Sequence, residues 1–168
     1  LQLDNFSFFS KTSASTNDLI RKYKDINGYA IATDYQENGR GQYSRKFETK
    51  PGQAILTSLI FNSYKASDNY PYLIAGIVRN VLSEYINVLI TIKLPNDLMI
   101  NNQKLAGILI ENDIIDQNYL IIGIGINIYS APEVDQQVTY LSKYVNQLLN
   151  KSEITQKIIE DIRKKVAI

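Results

Sequence analysis

Three nearly uninterrupted apolar runs set the first constraint on this chain: QAILTSLIF at Gln53–Phe61, LAGILIE at Leu105–Glu111 and LIIGIGINI at Leu120–Ile128. Each is far shorter than a membrane span, rich in isoleucine or leucine, and of strand length, the pattern of a strand buried in a sheet. Shorter strand signals surround them. Phe6–Phe9 is apolar, Tyr29–Tyr35 (YAIATDY) alternates, and Leu89–Leu94 is stopped by Pro95. Asp97–Ile100 and Lys104–Glu111 pair as a hairpin turned at Asn101-Asn102. Helical spacing appears in fewer places. Tyr72–Tyr85 carries Leu73, Ile74, Ile77, Val78, Val81, Leu82 and Tyr85 on one face. Ser15 or Thr16 caps a helix bearing Leu19, Ile20 and Tyr23, Tyr140–Leu149 reads as a weaker helix, and Ser152 caps a last one through Ile154, Ile158, Ile162 and Val166. Strands joined by hairpins as much as by helices predict an α+β domain: a mixed, mostly antiparallel β-sheet with helices packed on one face. A length of 168 residues is most simply one domain, residues 1–168.

Composition narrows the chemistry. The chain has no histidine and no cysteine, which excludes Ser-His-Asp triads, imidazole metal sites, thiolate zinc and thiol catalysis. Lysine and arginine number 18 against 17 acidic residues, so any cationic site must be local. The start, LQLDNFSFF, lacks the cationic region and long apolar stretch of a signal peptide. The working groups must come from Lys, Arg, Asp, Glu, Tyr and the backbone.

Four segments can supply them. YQENGRGQYSRKF (Tyr35–Phe47) lies in a long polar connection, residues 36–52, and joins glycines that let a backbone approach a phosphate to an arginine fork that suits phosphate or carboxylate. It is not a P-loop, and alone it also reads as a solvated loop. SASTNDL (Ser13–Leu19) is a helix cap and, through its unpartnered first amides, an anion or carbonyl site. In KLPNDLMINNQKLAGILIE (Lys93–Glu111) a hairpin brings Lys93, Asp97 and Lys104 together. Lys104 opens an apolar strand and needs a partner there, for which a bound anion serves. In IIGIGINI (Ile121–Ile128) the glycines permit close approach of a ligand or a second backbone, with Asn127 at the strand's end.

The order STN, YQxxGRGxxxRxF, KxPNDxxxxxxKLAGILIE, GIGIN resembles the catalytic domain of biotin protein ligases, the biotin–[acetyl-CoA-carboxylase] ligase family, over about Phe6 to Ile128. The resemblance implies the class II synthetase-like fold of biotin and lipoate ligases. It implies a cytoplasmic enzyme that joins biotin and ATP, with Mg²⁺, into biotinyl-5′-AMP and passes the biotin to a lysine of a biotin carboxyl carrier domain. The implied partner is that carrier domain of a biotin-dependent carboxylase, acetyl-CoA carboxylase being the expected one, with no nucleic acid and no membrane. It also implies roles. Ser15, Thr16, Asn17, Gln36, Gly39, Arg40, Gly41, Gln42, Lys104 and Gly107 would hold biotin. Arg40, Arg45, Phe47, Lys93, Asn96, Lys104 and Asn127 would hold ATP and the adenylate. Lys104, Arg40, Lys93 and Asp97 would serve catalysis, with Asp97 as the Mg²⁺ anchor.

The chemistry asks for such residues independently, since attack of a carboxylate on an α-phosphate brings two anions together. The match departs from the family where Phe47 and Leu94 stand in place of tryptophan, and where Gln42-Tyr43-Ser44 replaces a basic, glycine-containing run. The expected organisation is a single catalytic domain, with neither the N-terminal DNA-binding domain nor the C-terminal β-barrel of longer family members in this chain. The alternatives are a lipoate–protein ligase, which shares the two-step logic, and a non-catalytic module that binds biotin or its adenylate.

Overall fold

The three apolar runs form the middle of one seven-stranded sheet. The computed structural model describes residues 3–41, 45–113, 119–134 and 137–168. Its strands are β1 (Phe6–Phe9), β2 (Tyr29–Thr33), β3 (Ala54–Phe61), β4 (Thr91–Lys93), β5 (Asp97–Ile100), β6 (Gln103–Asp113) and β7 (Tyr119–Asn127), and its α-helices are α1 (Thr16–Leu19), α2 (Tyr70–Ser83) and α3 (Lys151–Val166). The strand order is β1-β2-β3-β7-β6-β5-β4. β1 runs parallel to β2, and every other pairing is antiparallel.

Alternation along the central strands sorts their side chains onto two faces. Ile55, Leu59 and Phe61 of β3 and Ile122, Ile124 and Ile126 of β7 join the main core. There they meet Ile74, Val78 and Leu82 of α2 and Ile154, Ile158 and Ile162 of α3, so the two long helices cover one face. The opposite face has a smaller cluster, Ile20, Ile31, Ile60, Tyr119 and Ile121, under α1 and the 3₁₀ turn Ile20–Tyr23. The rest of that face is left open for a site. Among the described residues no helix is long and apolar enough to cross a membrane.

Local chemistry explains most boundaries. Asn101 and Asn102 both take positive φ, 50° and 62°, as a two-residue turn with the right twist for a hairpin demands. α2 begins at Tyr70, two residues before the expected start, because Pro71 fits a first helical turn. α3 is capped by Asn150, whose side chain accepts from the Glu153 amide, and not by Ser152, which lies within the first turn. The helix expected at Tyr140–Leu149 is reduced to a 3₁₀ turn at Leu141–Tyr144. Long-range bonds hold that segment in an irregular course: the Ser142 amide donates to Ile128 O and the Tyr129 hydroxyl to Leu149 O. Leu148 is left 94% exposed, so the apolar pair Leu148-Leu149 is split between solvent and core instead of lying on one helix face.

Candidate active site

The open face of the sheet is carved by glycines. Strand register sets Leu56 of β3, Gly125 of β7, Gly107 of β6 and Asp97 of β5 in one row across four strands. The next row is Ser58, Gly123 and Leu109. Above these rows lies a cavity of about 290 Å³. The glycines make room mainly for the protein's own side chains. A Cβ on Gly123 would lie 2.8 Å from Asn17 Cγ, one on Gly125 would lie 2.5 Å from Phe47 Cε1, and one on Gly107 would lie 3.2 Å from Lys104 Nζ. At Gly123 and Gly125 a ligand or a second backbone was expected to approach; the side chains of Asn17 and Phe47 occupy those places instead.

The turn before α1 supplies one wall. Ser15 caps the helix, its side chain accepting from the Asp18 amide. The Thr16 amide donates to Gln36 Oε1 at 3.1 Å, so the first free amide of this short helix already has a partner. Asn17 is buried in the Gly123 slot. Its Oδ1 accepts from Ser58 Oγ at 2.6 Å, and its Nδ2 donates to Glu111 Oε2 at 3.0 Å. Gly39 shapes the same corner from outside the lining, since a Cβ there would press on Gln36 Nε2 at 2.6 Å and on the Phe47 carbonyl.

In the connection after Gln36, residues 39–41 and 45–47 pair as two short antiparallel arms. Arg40 bridges Lys46 in antiparallel fashion, the Gly41 amide donates to Arg45 O at 2.6 Å, and the Phe47 amide donates to Gly39 O at 3.0 Å. Gln42, singled out above as a biotin contact, lies outside the described residues, as do Tyr43 and Ser44. Arg40 faces the cavity but is tied behind it, to Asp18 at 2.6 Å and to Glu111 at 2.9 Å. Burial alone would lower the pKa of its guanidinium, but the hydrogen bonds and charges of Glu111 and Asp18 outweigh that and raise it.

The β4–β5–β6 end supplies the remaining charges. Lys93 closes β4, and a cis Leu94–Pro95 peptide leads to Asn96 and Asp97. Asn96 Nδ2 donates to Ile108 O at 2.6 Å while the Ile108 amide donates to Asn96 O, which clamps this turn to β6. Lys104 Nζ lies 3.0 Å from Asp97 Oδ1, with the side chains only 22% and 18% exposed. The partner that the position of Lys104 requires is thus Asp97. The approach misses hydrogen-bond alignment, so the pair is held by charge. The Lys104 backbone is fixed by Gln137 and Thr139, which bond its amide and its carbonyl.

The cavity therefore gathers Ser15, Thr16, Asn17, Gln36, Arg40 and Gly41 with Arg45, Phe47, Lys93, Asn96, Asp97, Lys104 and Gly107. Asn127 stands outside the lining. Its Nδ2 donates to Thr139 O at 3.1 Å, and its Oδ1 is buried with no partner among the described residues. Lys46, Leu56 and Leu109 also line the cavity and were not anticipated. Leu56 and Leu109 were accessible to sequence reasoning, because strand alternation puts them on the face of Gly123 and Gly125. Among the described residues no three carboxylates gather to form a metal site.

This assembly of motifs has relatives. The profile of the Biotin/lipoate A/B protein ligase family matches residues 6–127, and the chain belongs to that family. It is 30% identical over 142 residues to the bifunctional ligase/repressor BirA of Bacillus subtilis, covering 79% of this chain and 44% of that protein. It is 25% identical over 168 residues to the biotin–[acetyl-CoA-carboxylase] ligase of Mycobacterium tuberculosis, covering 94% of this chain and 62% of that one. The chain thus spans less than two thirds of the length of either relative. Among solved structures, the biotin protein ligase of Aquifex aeolicus in complex with biotin and ATP superposes with a TM-score of 0.82 at 25% identity, over 96% of this chain and 70% of that one.

Proposed function

We propose that this chain forms biotinyl-5′-AMP from biotin and ATP and transfers the biotin to a lysine of a biotin carboxyl carrier protein. The observation that carries the proposal is the Lys104–Asp97 pair set in a cavity that Arg45, Lys46 and Lys93 also line. In the first step a biotin carboxylate oxygen attacks the α-phosphorus of ATP. A new P–O bond forms, the bond to the β-phosphate oxygen breaks, and pyrophosphate leaves with the electron pair. Three cations and Lys104 reduce the repulsion between the two anions, and Lys104 meets the charge that builds on the acyl phosphate. In the second step the carrier lysine, as a free amine, attacks the biotinyl carbonyl carbon. AMP departs and the amine loses a proton.

The cavity suits these ligands in kind. Apolar Leu56, Leu109 and Phe47 offer surface to a hydrophobic acyl chain, while Asn17, Gln36 and Ser15 offer hydrogen bonds to a polar head group. The Oδ1 of Asn127 lacks a partner among the described residues, but it is buried outside the lining, so the site would have to open before it could accept from the exocyclic amine of adenine. Mg²⁺ that arrives on ATP needs few protein oxygens, and Asp97, the single carboxylate lining the cavity among the described residues, fits that need. Phe47, seated at Gly125, can still stack where the family usually has tryptophan, with a smaller face.

The family includes lipoate ligases, so the test runs both acids. Purified protein with ATP and Mg²⁺ is expected to release pyrophosphate with biotin and not with lipoate, and to add one biotinyl mass to a carrier-domain lysine. Release with lipoate alone reverses the substrate assignment, and binding without release leaves a non-catalytic module. Asp97→Asn is expected to raise the Mg²⁺ concentration for half-maximal release several-fold. An unchanged Mg²⁺ dependence assigns Asp97 to holding Lys104 only.

A further inference from the structure

We infer that Glu111 and Asp18 are positioning residues that grip the Arg40 side chain, so that Arg40 anchors the paired arms 39–41 and 45–47 to the sheet and does not serve as a ligand for the anionic substrate. The inference rests on the proposed ligase reading for the identity of that substrate, but the anchoring itself is visible without it.

Both forks of the guanidinium are occupied. Along one edge, Nε lies 3.2 Å from Asp18 Oδ2 and Nη2 lies 2.6 Å from Asp18 Oδ1. At the other, Nη1 lies 2.9 Å from Glu111 Oε1 and Nη2 lies 3.3 Å from Glu111 Oε2. Ser15 Oγ adds a longer contact to Nε at 3.4 Å. Four of the five N–H donors of an arginine are directed at these two carboxylates. A phosphate or carboxylate ligand could gain a bidentate contact only by displacing one of them.

The acids are shared as well. Among the described residues Arg21 Nη2 stands 3.6 Å from Glu111 Oε2, so a second arginine faces the carboxylate that grips Arg40. Exposed ion pairs contribute little to stability, but bidentate arginine pairs in a network are the exception. Glu111 is further fixed by Asn17 Nδ2, so its carboxylate is oriented before Arg40 reaches it.

Position gives the grip its purpose. Asp18 is on α1, Glu111 is on β6, and Arg40 is on the first of the two arms. That arm carries the second through the Gly41–Arg45 and Gly39–Phe47 bonds, and Phe47 seats its ring at Gly125. One arm is therefore fastened by charge to α1 and β6, and the other by an aromatic ring to β7. The cationic residues Arg45 and Lys46 are held at the cavity by this double attachment.

The two roles for Arg40 predict opposite signs. If Arg40 anchors the paired arms, Glu111→Gln should speed hydrogen exchange at the Gly41 and Phe47 amides about tenfold or more in the ligand-free protein, and should weaken binding of ATP and biotin. Arg40→Lys should do the same, because an ammonium keeps the charge but cannot make two forks. If Arg40 instead binds the anion, Glu111→Gln frees a guanidinium fork and should tighten ATP binding. Exchange by NMR and affinity by calorimetry read the two. Asp18→Asn provides the same test should Glu111→Gln fail to fold. In the double variant Arg40→Ala, Glu111→Ala the exchange rates should match Arg40→Ala alone. Unchanged exchange in Glu111→Gln or Asp18→Asn, tighter ATP binding, or fully additive effects each overturn the inference. Exchange is measured without substrate, so failure of the ligase reading appears separately, as wild-type protein that releases no pyrophosphate.

Discussion

Lys104→Ala is expected to lower the rate of biotin-dependent pyrophosphate release by about 10- to 150-fold, the equivalent of one charge-assisted hydrogen bond of about 1.5–3 kcal/mol removed from the transition state. The lysine is prepared for that contact. Its ammonium is mostly buried, its backbone is tied to Gln137 and Thr139, and its ion-pair partner Asp97 sits beside it on the neighbouring strand. Truncation also leaves Asp97 without its cation, and an unpaired carboxylate that is mostly buried costs stability. The two effects separate in the double variant Lys104→Met, Asp97→Asn, which removes both charges and keeps comparable shapes. Its urea midpoint should return toward wild type while pyrophosphate release stays low. Release by Lys104→Ala within about threefold of wild type would refute a transition-state role, since less than 1 kcal/mol would then be lost.

Lys104, Asp97 and the turn between their strands were legible because the information is local. KLPND, a two-residue asparagine turn and an apolar return strand lie within nineteen residues, Lys93–Glu111, and strand geometry does the rest. The apolar runs of β3 and β7 likewise marked these strands as buried. What the sequence concealed was the partner of each polar group. Asp18 reads as a helix-turn carboxylate and Glu111 as the polar end of a strand, both ordinary in solvent. They meet Arg40 across 22 and 71 residues, a closure that only the three-dimensional fold supplies. The glycines of GIGIN were read as room for a ligand or a second backbone and hold side chains instead, because a missing Cβ is compatible with any neighbour. The Tyr140–Leu149 segment misled for a related reason. Its weak helical pattern was overruled by hydrogen bonds to Ile128 and Tyr129, which lie just beyond the end of β7.

Those glycines give the sharpest structural contrast in the molecule, since the same substitution two residues apart should fail in two ways. Gly123→Ala would put a methyl carbon 2.8 Å from Asn17 Cγ and 2.9 Å from its Nδ2. Asn17 has no easy retreat. Its Oδ1 can only accept, so the Ser58 proton is committed to it, and the Ser58 oxygen is in turn 2.7 Å from Thr16 Oγ1. On its other side Nδ2 holds Glu111, one of the two acids that grip Arg40. Expelling the amide strands buried polar atoms of Ser58 and loosens Glu111, so overpacking and lost hydrogen bonds add. The expected loss of stability is about 2–4 kcal/mol, combining an overpacking cost with at least one unsatisfied buried group. Biotin binding should fall with it. Gly125→Ala meets the Phe47 ring instead, at 2.5 Å from Cε1, and that ring is only half-buried. Stability should change by less than about 1 kcal/mol, because the ring can leave without stranding a polar group, while ATP affinity falls as the arm carrying Arg45 and Lys46 detaches. Urea denaturation and calorimetry with biotin and ATP distinguish the two variants. If Gly123→Ala keeps wild-type stability, Asn17 is free to move and is not the fixed corner of the site. If Gly125→Ala binds ATP as wild type does, the paired arms are held by Arg40 alone and the Phe47 seat adds nothing.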